Sequence, residues 1–461
     1  MRANLKKTML LLAFFGIAVS GFYGCGGELP AGTKKESGSV PDEAAPGNQK
    51  EEEEEAISPG GEKPYEESIK VEDMENLQYL GIHRGDWTLG SPWDMGDPSS
   101  FDQAGMDEIL EAVGTRGTSA RRLAISYTFS YLKYPAESIA GCVANMLALS
   151  EKNDIPVILH LDGVNWWDNR PDLWNFWDEN APGYDPGNIK NVERYNWEMD
   201  AAVKIGWRNW GMQIRVPPAP NLASAEFLAA QEEALDVILP VIAKWHGELP
   251  PEKKYLLGGV VFGWEISPYV QAYFFEGGNE LLGEPAKNDP QLGGLVNNSS
   301  LWNTMALGYA AAEKLGIQSE SAITEETMDK VCSFYLNFLI EAALRHGIDP
   351  KRIITHSFWG GATKTGGGQS GAASISSVEG VIPGWSWYDA DFKGIEKVAE
   401  MANGKPWAAI EVRSWNLGSK QLKNLFALKN NRYVNIFNWE GLRDDKDFAK
   451  VFGIIRDVLE E

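Results

Sequence analysis

The stretch GGVVFGWEI, residues 258–266, carries an apolar run that stops at Glu265; a second, KPWAAIEVR at 405–413, stops in the same way at Glu411. Each starts from a Gly- or Pro-marked turn, continues through β-favouring or small residues, and delivers a carboxylate where the run ends. In the alternation of a strand, Glu265 is expected on one face with Val261 and Gly263, and Glu411 on one face with Trp407 and Ala409. A carboxylate ending a strand above small residues faces open space rather than a packed neighbour. Two of them on one rim suit chemistry that needs an acid and a nucleophile close together.

Outward from these two runs, strand-like and helix-like segments alternate from about residue 78 to the end. Strands are expected at 79–83, 122–127, 156–161, 258–265, 352–356, 380–385, 406–411 and 433–437, with helices at 138–152, 224–245, 325–346, 394–401, 419–428 and 445–459. Eight strands with helical crossovers imply a parallel sheet, and the count points to a (β/α)₈ TIM barrel. No Gly-x-Gly-x-x-Gly follows an early strand, so a dinucleotide-binding open sheet lacks its fingerprint. Long insertions follow strand 3 (163 to about 221) and strand 4 (269 to about 324). Both leave from C-terminal strand ends, the face on which such barrels build their sites.

The first residues read as an export signal. Arg2, Lys6 and Lys7 precede an apolar run at 9–19, too short to span a bilayer at about 20 residues. Gly24 then precedes Cys25, Gly26 and Gly27, which resembles a bacterial lipoprotein signal with Cys25 as the lipidated first residue. Three segments follow: a signal peptide at 1–24, an unstructured acidic tether at 25–77, and the barrel at 78–461. The tether carries Glu51 to Glu55 in a row and lacks the apolar content to fold; all 18 tryptophans lie at Trp87 or beyond. Removing the signal leaves 39 basic against 65 acidic residues, which excludes nucleic acid and anionic surfaces as partners. The expected location is the bacterial cell envelope, anchored to the membrane through lipid on Cys25. Cys142 and Cys332 sit in apolar helical stretches and read as free buried thiols; a disulfide is the other reading an exported protein allows.

Paired carboxylates at strands 4 and 7 resemble the large clan of (β/α)₈ retaining glycoside hydrolases, in which the acid/base follows strand 4 and the nucleophile strand 7. The resemblance covers about residues 78–461 and lies in architecture rather than in a distinctive motif. It implies Glu265 as acid/base, Glu411 as nucleophile, a β-linked glycan as substrate and no cofactor. That clan commonly places asparagine before the acid/base, where this chain has Trp264, which reads as core together with Trp407. Each glutamate alone also fits a structural salt bridge. Asp162, Glu276, Glu379 and Glu440 are competing acids without an equally placed partner.

For substrate contacts the candidates are Trp439 after strand 8, Trp385, Trp387 and Tyr388 after strand 6, and Trp166 with Trp167 after strand 3, since indoles stack on the apolar faces of sugar rings. His160 and Asp162 share a strand face. His83 with Arg84, His356, and Arg413 two residues beyond Glu411 complete a polar rim; each also reads as a structural or solvated residue. Two other classes compete with a glycosidase: a glycan-binding lipoprotein without turnover, and a metal-dependent barrel using His83, His160, Asp162, Glu265, His356 and Glu411. No His-x-His on the first strand and no His-Glu-x-x-His helix supports the latter, so no metal is expected.

Overall fold

Eight parallel strands follow one another around a closed barrel: β1 (Gln78–Arg84), β2 (Arg121–Ser130), β3 (Val157–Asp162), β4 (Leu257–Ile266), β5 (Ile353–Ser357), β6 (Ile382–Trp387), β7 (Trp407–Arg413) and β8 (Asn431–Phe437). β8 pairs back onto β1, with Tyr79 opposite Tyr433, so no sheet edge is left open. The computed structural model describes residues 69–85, 96–204, 206–209, 213–266, 307–317, 321–357, 371–387, 395–413, 418–437, 439–443 and 448–461. The expected signal peptide, Cys25 and all but the end of the acidic tether lie outside them; that end, residues 69–77, is folded rather than unstructured, with a short helical turn at Val71–Asp73 and with Ile69, Met74 and Leu77 buried against the core beneath the barrel.

Helices cover the outside: α1 (Gln103–Val113), α2 (Ala136–Asn153), α3 (Ala225–Glu248), α4 (Glu325–Arg345), α5 (Ile395–Met401), α6 (Ser419–Ala427), α7 (Trp439–Arg443) and α8 (Phe448–Leu459). α1 is absent from the helices expected from sequence, although Asp102 caps it at Gly105 N–H and Gly114 ends it at φ 74°. Side-chain caps also start α3 at Ser224 and α4 at Thr324. Cys142 and Cys332 are buried on α2 and α4, and neither forms a disulfide among the described residues.

Inward side chains fill the barrel in layers. At its N-terminal end Tyr79 and Tyr433 stack at 5.1 Å, and Arg352 donates to the Tyr79 hydroxyl at 3.0 Å. Ile158, Val261, Ile354, Ile382, Ala408 and Ile410 pack around them. Asn435 crosses the middle, accepting from Ser126 Oγ at 2.8 Å and donating to the Ile410 carbonyl at 2.9 Å. Gly81 makes room for it, since a Cβ there would lie 2.1 Å from Asn435 Oδ1. Above Asn435 the described inward side chains include His83, Thr128, His160, His356 and Ser386, and that is where the site lies.

The insertion after β3 contains a one-turn helix (Pro171–Trp174) and an antiparallel hairpin (Gly206–Asn209 with Gln213–Val216). It is tied to the described end of the insertion after β4. The buried Glu193 carboxylate accepts backbone N–H groups from Gly308, Ala310 and Ala311 at 3.0–3.1 Å, and the Trp197 indole donates to the Ser321 carbonyl at 2.9 Å.

Candidate active site

Two register slips decide which side chains reach the upper barrel. Between β4 and β5 the pair Phe262–Thr355 is followed by Ile266–Ser357, so β4 spends two extra residues. Gly263 (φ 95°) and Glu265 (φ 50°) take left-handed backbone in that bulge. A Cβ at Gly263 would lie 2.6 Å from Leu336 of α4, so that position faces out, and Trp264 turns into the barrel. β7 slips as well: Trp385–Ala409 is followed by Ser386–Glu411, leaving Ile410 as the extra residue. Ile410 packs inside, whereas Trp407 and Ala409 pack under the helices and the Trp407 indole donates to the Lys429 carbonyl. Simple alternation put Glu265 with Gly263 and Glu411 with Trp407 and Ala409. Val261 does face inward with Glu265, as expected, but Gly263 faces out and Trp407 and Ala409 lie under the helices, so beyond Phe262 and Ala409 the bulges, not the alternation, aim the carboxylates.

The result is a convergence. One oxygen of Glu265, one ring nitrogen of His356 and one oxygen of Glu411 lie within 4.8 Å of one another. Glu411 is 1 % exposed and its Oε1 accepts the indole N–H of Trp264, whereas Glu265 is half-buried at the rim. Trp264, expected as core, is therefore a wall of the cleft, 6 % exposed and 6.3 Å from the His83 ring. His356 Nε2 shares a hydrogen bond of 2.7 Å with Ser386 Oγ, and His83 Nε2 one of 2.8 Å with Thr128 Oγ1. His160 lies between them, its ring 5.2 Å from His83 and 6.3 Å from His356. Burial pushes His83 and His356 down to about 3 and His160 well below its ordinary value, so all three imidazoles are neutral near pH 7. Among the described residues none of their Nδ1 atoms has a hydrogen-bond partner.

Other expected site residues lie elsewhere. Asp162 is buried and spent on its own loop: Oδ1 accepts from Val164 N, Asn165 N and Asn165 Nδ2 at 3.0–3.2 Å, and Oδ2 from Ser130 Oγ at 3.1 Å. Arg84 points outward, donating to the Gly105 carbonyl at 2.6 Å and to Glu108 at 3.0 Å, with Glu440 at 3.9 Å. Trp439 is 2 % exposed, packed against Phe452 of α8 at 5.5 Å with Arg84 over its ring, and so presents no open face to a sugar. Trp385 and Trp387 flank the inward Ser386 and pack in the outer core, Trp385 donating to the Gly371 carbonyl at 2.8 Å. Trp166 is buried with Lys133 Nζ 4.7 Å over its ring, and Trp167 is core, donating to the Pro218 carbonyl. Glu440 is buried beside Arg84, and Glu379 is exposed just before β6, at the opposite end of the barrel. Arg413, half-buried, follows Glu411 by two residues beyond the bulge. Tyr388 and Glu276 lie outside the described residues.

One aromatic was missed. Phe437 alternates with the inward Tyr433 and Asn435, is half-buried at the rim and lies 5.5 Å from the His83 ring. The period of β8 signals it, but Trp439 two residues later is the more conspicuous aromatic.

A half-exposed carboxyl beside a buried, hydrogen-bonded carboxylate can supply a proton donor and a nucleophile across one bond. The same two oxygens and the neutral His356 are also donors of the kind that bind zinc. No protein-family model matches the sequence, and no curated protein sequence does. Three solved structures share the outline of the barrel. GH26A from a Muricauda species is 10% identical with a TM-score of 0.41, covering 83% of this chain and 93% of its own. The β-amylase catalytic domain from Paenibacillus polymyxa is 10% identical with a TM-score of 0.42 over 84% and 99%. A morphinone reductase is 8% identical with a TM-score of 0.39 over 84% and 90%. At these scores the likenesses decide nothing about the reaction.

Proposed function

We propose that this chain is a retaining β-glycosidase that cleaves an oligo- or polysaccharide outside the cytoplasmic membrane, held there by lipid on Cys25. The observation that carries the reading is the approach of Glu265 and Glu411 to within 4.8 Å at the C-terminal ends of β4 and β7. Retaining enzymes hold their carboxyl groups at about 5–5.5 Å, whereas inverting ones need roughly 6.5–9.5 Å to admit a water. Glu411 attacks the anomeric carbon while Glu265 protonates the departing glycosidic oxygen, giving a covalent glycosyl ester on Glu411. Glu265, now ionised, deprotonates a water that attacks the same carbon and releases Glu411. Phe437, half-buried at the rim beside His83, would offer a sugar ring an apolar face.

The test is hydrolysis of a panel of β-linked aryl glycosides and polysaccharides by the purified barrel, with the product anomer read by proton NMR. Glu411→Ala should abolish turnover while azide restores a glycosyl azide of inverted configuration. Full activity in Glu411→Ala and Glu265→Ala together would make the carboxylates structural; glycan binding without turnover by the intact chain would make the protein a binder. A metal-dependent reaction is the second reading, favoured by His356 beside the two carboxylates. It predicts that activity vanishes on exhaustive chelation and returns with zinc, whereas the glycosidase is indifferent to chelators.

A further inference from the structure

We propose that Trp264 is a positioning residue for Glu411: its indole N–H holds Oε1 and so fixes the rotamer from which the carboxylate attacks. This rests on the reading of Glu411 as nucleophile. The hydrogen bond from Trp264 Nε1 to Glu411 Oε1 is buried and spans β4 to β7 across the barrel. An indole N–H only donates, so this contact has a single polarity. It stabilises an ionised carboxylate, and it cannot compete for the proton that the reaction moves through Glu265. A nucleophile held in one rotamer has also lost its rotational freedom before the substrate arrives, which is where much of an enzyme's advantage lies.

The chain shapes itself around this contact. Gly263 and Glu265 adopt left-handed backbone on either side of Trp264, an arrangement that an L-residue such as Glu265 enters at a cost of about 1–2 kcal/mol. That distortion turns the indole inward and delivers the adjacent glutamate to the same cleft. From the other side the Trp264 carbonyl accepts from Asn165 Nδ2 at 3.5 Å, and Asn165 is fixed by the buried Asp162, itself bonded to Ser130. A line of support therefore runs from β2 and β3 through Asp162, Asn165 and Trp264 to Glu411. A tryptophan that merely filled space would need neither the two left-handed residues nor a carboxylate at its nitrogen.

Trp264→Phe in the full chain removes the donor and keeps an aromatic ring. The expected result on an aryl glycoside that the wild type cleaves is a fall in kcat of tenfold or more with KM changed less than threefold. The acid limb of kcat/KM should move to higher pH, because Glu411 loses a donor that favours its ionised form. If Trp264→Phe fails to fold, β-(3-benzothienyl)alanine at position 264 gives the same shape with sulfur in place of N–H. A readout independent of turnover is the carboxyl ¹³C signal of Glu411, assigned by its loss in Glu411→Gln; it should titrate at higher pH once the donor is gone. Unchanged kcat, pH limb and titration would reduce Trp264 to packing and overturn the proposal. An inactive wild type whose Glu411 signal still responds to the substitution would instead sink the glycosidase reading and leave the hydrogen-bonding role standing.

Discussion

Glu265 is the one residue of the candidate pair whose backbone carries a measurable cost, and replacing it by glycine and by alanine separates that cost from its chemistry. Both substitutions delete the carboxyl, so whatever that group contributes to stability drops out of the comparison. Alanine keeps the Cβ that makes φ 50° unfavourable by about 1–2 kcal/mol; glycine does not. Glycine in turn loses about 0.5–1 kcal/mol through the greater freedom of its unfolded chain. The difference leaves Glu265→Gly ahead of Glu265→Ala by roughly 0.5–1 kcal/mol, whereas in an ordinary strand it would trail by the same amount. Urea denaturation followed by tryptophan fluorescence resolves this gap better than melting, because in a barrel of this size about 1 kcal/mol moves Tm by only ~2 °C. Both variants should lose about 10²- to 10⁴-fold on glycosides with alkoxide leaving groups and keep activity on nitrophenyl glycosides, whose leaving group needs no proton. An alanine variant more stable than the glycine one would show that the backbone at 265 is unstrained, and the argument from the β4 bulge would fail with it.

The buried imidazoles predict an acid-labile barrel. His83 and His356 hold off protons down to about pH 3 in the fold but accept them near 6.5 when unfolded, so the unfolded state binds more protons throughout that window. Stability should be complete above about 6.5 and decline as pH falls towards 3; His83→Gln, which still offers Thr128 a partner, should flatten the slope of unfolding free energy against pH by about one proton, and an unchanged slope would show that His83 titrates normally. Arg84→Met should cost about 3 kcal/mol in urea by stranding Glu440, which is buried on the helix side of the wall, and leave KM unaltered. A raised KM at unchanged stability would return Arg84 to the cleft.

The barrel was legible because each strand is a short apolar run between turn signals, and such runs survive without knowledge of tertiary contacts. The expected and observed strands overlap at every position around the ring, with ends shifted by up to three residues. The site was legible only in part. Glu265 and Glu411 stand out because each ends such a run, yet alternation misplaced Gly263 on β4 and both Trp407 and Ala409 on β7, since an extra residue in a strand leaves no mark on its composition. Asn165 and Ser386, which hold the cleft together, look like any polar residue at a strand end. Trp439 and Trp385 misled for the opposite reason: a tryptophan after a strand reads as a platform, and only the packing of Phe452 and the carbonyl of Gly371 show both to be buried.

The charge inside the cleft follows from burial more than from composition. A barrel with His83, His160 and His356 stacked beneath two glutamates reads, on paper, as a site where cations offset carboxylates. Desolvation removes that offset, because imidazoles this deep stay neutral and act through hydrogen bonds to Thr128 and Ser386. Two carboxylates within 4.8 Å therefore face each other without a histidinium between them. Like charges so close favour a state in which one of the pair keeps its proton. Trp264 gives Glu411 a donor that favours its ionised form, and the proposed reading assigns the proton to Glu265, half-buried at the rim. On the proposed reading the division of labour between acid and nucleophile would follow from where one indole N–H points, and the bulge in β4 is what points it.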